Sequence, residues 1–306
     1  MIEMVIDARK KDLGGFEVGR VLPFARKRMV GPFIFLDHMG PAEFAPGAEA
    51  INVRPHPHIG LSTLSYLFEG EMTHRDSTGA HNVILPGEVN WMTAGKGVVH
   101  SERTDPERRA AGGRLNGMQA WIALPTERED DAPSFSHHAG GDLPSYEQAG
   151  LFARLVAGEA YGARASVPVS SPLFYVHWEM QPGVRAAPPK GKGDGGYSER
   201  ALYVVTGSVD VGDRRIHAGQ MAVLEPASEP VVTALETSTV MILGGEPIGQ
   251  RLIWWNFVSS SQERMEAAKA DWQAGRMKLP IGDEEEFIPL PEDPASATPP
   301  PPTDPV

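Results

Sequence analysis

The chain has 306 residues, enough for two domains that each bury a core of their own. Lys+Arg number 28 against 40 Asp+Glu, and no basic run concentrates positive charge, so a net charge of −12 argues against direct binding of nucleic acid. With no cysteine, disulfides, thiolate metal ligands and cysteine nucleophiles are excluded. The opening MIEMVIDARKKDLGGFEVG lacks the apolar core of a signal peptide, and no later run is long enough to span a bilayer, so a cytoplasmic protein without membrane contact is expected. Thirty-three glycines and 28 prolines punctuate aromatic and β-branched runs, the pattern of many short strands in an all-β chain.

The first half reads as strands broken by turns: GPFIFLDHMGP, LSTLSYLFEGEM, then NVILPGEVNWMTAG, with Asp76, Ser77 and Gly79 supplying turn chemistry in HRDSTGAH. Two pairs stand out on these strands, His56 and His58 in RPHPHIG and His100 and Glu102 in GVVHSER. Strand residues two apart leave the same face about 6.6 Å apart, so two such pairs on neighbouring strands would converge into a three-nitrogen, one-oxygen metal site. Imidazole and carboxylate suit iron, nickel, copper, cobalt, manganese or zinc, and an octahedral ion would keep two open positions. A single histidine is more often a bystander, and His74, His81, His137 and His138 are set aside on that ground.

Residues 126–150 are polar and glycine-rich and mark a boundary, giving domains over 1–140 and 141–280. The second half repeats the first: ALYVVTGSVDVGD echoes LSYLFEGEMTH, with Tyr203 and Gly207 standing for Tyr66 and Gly70, and AGQMAVLEPA echoes PGEVNWMTAG, with Gly219 for Gly87. The same offsets put Gly193 and Gly195 at the places of His56 and His58, and about Val232 and Ala234 at those of His100 and Glu102, so the second copy has lost the metal site. His177 and His217 belong to no ligand pair. Beyond LGGEPIGQRLIWWNF a helix is expected, capped by Ser260 with Glu263, lined by Met265, Ala268 and Trp272 and stopped at Gly275. Residues 281–306 are acidic, then proline-rich, and read as a disordered or polyproline tail.

Taken together, GPFIFLDHMGP, HPHIG, EGEMTHRDSTG, the highly specific WMTAGKGVVHSE and the degenerate second copy resemble the pirins, the two-domain family of the cupin superfamily, over nearly the whole chain. The resemblance implies two jelly-roll β-barrels with a C-terminal helix, a metal held by His56, His58, His100 and Glu102, usually Fe(II), and a flavonol such as quercetin opened with dioxygen. Two departures stand against the pattern: HPHIGLST places Ser62 where wider cupin motifs carry a glutamate, and IGQRLIWWNFVSSS replaces a GPFVMN-type segment, which bears on the choice of substrate. On this reading Glu102 is both ligand and general base toward the flavonol hydroxyl, with Phe33, Phe35, Trp91 and Met92 as candidate walls or plain core. The alternative is a non-catalytic, redox-sensing iron protein that binds a protein partner.

Overall fold

A computed structural model describes residues 1–12, 17–48, 51–193 and 195–292. Two modules follow one strand plan. The first module's large sheet runs, in spatial order, Ser134–His138, Val89–Thr93, Leu61–Glu69, Gly113–Ala123, Phe33–Phe44, Glu17–Leu22, Arg9–Asp12. The second's runs Ile2–Asp7, Gln220–Leu224, Glu199–Thr206, Ser238–Gly245, Leu173–Met180, Leu151–Ala160, Ser145–Gln148. Each is closed into a barrel by a four-stranded sheet, Asn52–His58, Val98–Arg103, Met72–Asp76, His81–Ile84 in one and Arg185–Ala186, Val232–Ala234, Ser208–Val211, Arg214–His217 in the other.

The order reveals an exchange that periodicity alone does not encode. Ile2–Asp7 precedes the first module but pairs with Gln220–Leu224 of the second, while Ser134–His138 precedes the second and pairs with Val89–Thr93 of the first. The expected division near residue 140 is therefore crossed by the leading strand.

The main core lies between the two large sheets, which explains why their strands are apolar on the face away from the barrel interior. Leu64, Tyr66, Trp91 and Met118 meet Tyr175, Ala201, Tyr203 and Met241 in one buried cluster. Equivalent rows face each other here. Tyr66, Met118 and His38 are register partners across three strands of one sheet, as Tyr203, Met241 and His177 are in the other. Tyr66 Oη pairs with His177 Nδ1 at 2.9 Å, and Tyr203 Oη with His38 Nδ1 at 2.9 Å, a reciprocal contact that makes the repeat an approximate twofold. The glycine anchors of the repeat have a steric reason: Gly70 (φ 89°) and Gly207 (φ 78°) sit where a Cβ would run into Arg114 O and Thr237 O.

Three expectations change in detail. The register sets Val232, partner of Val211, in the row of Glu102, partner of His74, and the second module's counterpart of the His56 strand is Arg185–Ala186, so Gly193 and Gly195 fall in the loop beyond it. The helix spans Gln262–Gln273 and is capped by Ser261, whose side chain accepts from Arg264 N, while Ser260 and Ser259 hold the buried Glu129 carboxylate. Met265, Ala268 and Trp272 line its buried face as the pattern requires. Finally, residues 281–292 are docked against the first barrel: Arg103 pairs with Asp283 at 2.7 Å and Glu286 at 2.9 Å, Ile288 N donates to Pro55 O at 2.8 Å, and Phe287 packs edge-on to Trp272. Ion pairs and backbone bonds do this with almost no apolar periodicity, so pattern reading missed it; the PPPP run and the rest of 293–306 lie outside the described residues.

Candidate metal centre

His56 and His58 sit on Asn52–His58 and His100 on the antiparallel Val98–Arg103, with His100 directly opposite His56. An irregularity after His100 sets Glu102 opposite Val53, two residues on one strand spanning three on the other. The side chains of His56, His58 and His100 are 6%, 1% and 1% exposed, and one ring nitrogen from each lies within 4.8 Å of the others. Among the described residues this is the one group of three or more His, Asp or Glu arranged to hold a metal ion.

Backbone carbonyls fix where the lone pairs of His56 and His58 point. His56 Nδ1 donates to Arg54 O at 2.9 Å and His58 Nδ1 to Asn256 O at 3.0 Å, leaving Nε2 of each without a proton. In the tautomer in which a neutral His74 donates from Nε2 to the Asp76 carboxylate at 2.9 Å, its Nδ1 accepts from His100 Nδ1 at 3.4 Å and His100 keeps a bare Nε2. The His58 and His100 Nε2 atoms face each other at 3.1 Å with no proton to share in this arrangement. Converging lone pairs of this kind fit a divalent cation. Burial, and secondarily the neighbouring rings, hold His58 and His100 well below the usual histidine range, and burial lowers His56, so all three are neutral, the metal-binding form.

Glu102 is not part of the three-histidine group. Its carboxylate is 4% exposed and accepts from Gln119 Nε2 at 2.8 and 2.9 Å and from Ser65 Oγ at 3.2 Å. Ser65 and Gln119 carry no motif and were invisible in the sequence. His74 was not: with Asp76 it forms the same two-apart strand pair as His56 and His58, although its place beside a turn favours the bystander reading. His81 is exposed, His137 bonds Asn90 Oδ1 at 2.9 Å and His138 bonds Ser166 Oγ at 3.0 Å, all three apart from the centre. Phe33 and Trp91 belong to the core between the modules, whereas Phe35 and Met92 join Trp121, whose ring lies 5.0 Å edge-on from His58. Ser62 pairs with Thr93 Oγ1 at 3.0 Å. The atypical IGQRLIWWNF segment forms the hairpin Leu252–Trp254 with Phe257–Ser259, and the Asn256 carbonyl at its turn is the one that orients His58.

Two exchanged jelly-roll barrels with a histidine cluster in one define a two-domain cupin. The Pirin family profile matches residues 15–122 and the Pirin C-terminal cupin domain profile residues 175–278, and the chain belongs to the pirin family. A pirin-like protein of Caulobacter vibrioides is 65% identical over 294 residues, 95% of this chain and 100% of its own. A Pseudomonas aeruginosa protein whose name carries a provisional quercetin 2,3-dioxygenase assignment is 37% identical over 277 residues, 88% of this chain and 83% of that one. The crystal structure of a quercetin 2,3-dioxygenase from Acinetobacter baumannii superposes with a TM-score of 0.86 at 31% identity, covering 95% of each chain.

Proposed function

We propose that this chain is a metal-dependent dioxygenase that opens a flavonol such as quercetin, with iron(II) held by His56, His58, His100 and Glu102. The observation that carries the reading is the convergence of one ring nitrogen from each of His56, His58 and His100 in a buried site, beside the Glu102 carboxylate on the His100 strand. Relatives named for quercetin 2,3-dioxygenase activity support the substrate class. Iron bound there supplies Lewis acidity toward the flavonol 3-hydroxyl and a redox centre for dioxygen.

The chain's own residues do the rest. Glu102 receives the hydroxyl proton, with Gln119 and Ser65 holding its carboxylate in place and lone pairs to spare. Phe35, Met92, Trp121 and Ile253 form an apolar wall at this end of the barrel that packs aromatic rings and excludes water. The test is anaerobic purification, metal analysis and dioxygen uptake with quercetin normalised to bound iron. Uptake that scales with iron is expected. Full iron occupancy with no uptake would discard the enzyme reading and favour a redox-sensing protein that binds a partner.

A further inference from the structure

A histidine binds a metal only through a nitrogen that carries no proton, so the direction of each hydrogen bond behind the centre matters as much as its distance. His74 lies on Met72–Asp76, which pairs with the His100 strand so that Asp76 stands opposite His100 and His74 opposite Glu102. Asp76 Oδ2, His74 and His100 form a single file, 2.9 Å at the first contact and 3.4 Å at the second. The His74 ring is 3% exposed and stacked on Phe135 at 4.5 Å and 19°, which holds its plane.

We infer that Asp76 and His74 are positioning residues that set the tautomer of His100, and that the turn backbone fixes the direction of the file at its far end. The inference rests on the metal reading of the site. Asp76 Oδ1 is occupied: it accepts from Thr78 N at 2.8 Å, Thr78 Oγ1 at 2.6 Å and Ala80 N at 3.2 Å. An asparagine at this position cannot offer its NH2 to backbone donors, so its carbonyl takes the Oδ1 place and its NH2 faces His74. His74 Nε2 must then accept and Nδ1 donate. His100 in turn accepts at Nδ1 and carries its proton on Nε2, facing His58. One isosteric change thus reverses every bond in the file and removes a ligand atom without touching a ligand.

The experiment compares wild type, Asp76→Asn and His74→Phe, the last keeping an aromatic ring on Phe135 while leaving His100 Nδ1 without its acceptor. Imidazole 15N chemical shifts of the metal-free protein report which nitrogen of His100 is protonated, and calorimetry reports binding of cobalt(II) or nickel(II). Wild type should show a bare Nε2 and Asp76→Asn a protonated one. Metal affinity should fall by roughly 10–100-fold in both variants. An Asp76→Asn protein with wild-type shifts and wild-type affinity overturns the file; should that variant not fold, unchanged affinity in His74→Phe does so. Shifts that reverse between wild type and Asp76→Asn, with a wild-type protein that binds neither ion, would sustain the file and overturn the metal reading instead.

Discussion

Under the proposed function the side chains at the centre divide into three histidines that hold a metal and a carboxylate that takes a proton, and substitution separates the two roles. Replacing His56 and His58 together by alanine removes two of three convergent nitrogens; if the wild type binds one metal per chain as proposed, the expected outcome is loss of that metal with the fold retained. Elemental analysis and a melting curve check it; a second tightly bound ion, or undiminished metal, would count against one site. Glu102→Gln keeps an oxygen but loses charge and basicity, and Gln119, which donates to both Glu102 oxygens, can flip its amide to accommodate the new NH2. Turnover per iron should fall by about 10²–10⁴-fold, well beyond any loss of occupancy. Equal losses would leave Glu102 as ligand only. The grouping of His56, His58 and His100 was legible because strand alternation turns a spacing of two into a shared face. Gln119 and Ser65 reach Glu102 through strand pairing, which a single sequence does not display.

At the scale of elements, the segment after the helix is where pattern reading failed and where stability should respond. Arg103 has only 17% of its side chain exposed and meets Asp283 and Glu286, and it ends the strand that carries His100. Ending the chain at Pro280 strips those acceptors and the Ile288 to Pro55 bond, so unfolding free energy should drop by about 1–3 kcal/mol by denaturant titration. Ending it at Glu292 should preserve all of these contacts and leave stability nearly unchanged. The helix was legible from its apolar face and its serines, although the choice among Ser259, Ser260 and Ser261 depends on Glu129, a buried partner that periodicity cannot reveal. The repeat was legible through Tyr66 and Tyr203 and through glycines whose positive φ only the turn demands. The exchange of leading strands was not, because Ile2–Asp7 reads the same whichever module it joins.

For the whole molecule, the reciprocal tyrosine and histidine pairs tie the modules together and make their union sensitive to acid. Burial pushes His177 down to about 3, so the folded protein stays unprotonated there while the unfolded chain gains a proton below about 6.5. Stability is therefore full above pH 6.5 and lost as pH falls toward 3, by at most about 1.4 kcal/mol per pH unit from this one group. His177→Gln should flatten the slope between pH 7 and 5 measured on metal-free protein, and an unchanged slope would assign the acid sensitivity elsewhere. The strand exchange has its own consequence during synthesis. Ile2–Asp7 is made early, yet its partner Gln220–Leu224 follows some two hundred residues later. At ribosomal rates that is on the order of ten to forty seconds in which Met4, Val5 and Ile6 wait on an unpaired edge. Glu3 and Asp7 within the strand and Arg9, Lys10 and Lys11 after it supply the charges that keep such an edge from pairing with the nascent chain of a neighbouring ribosome.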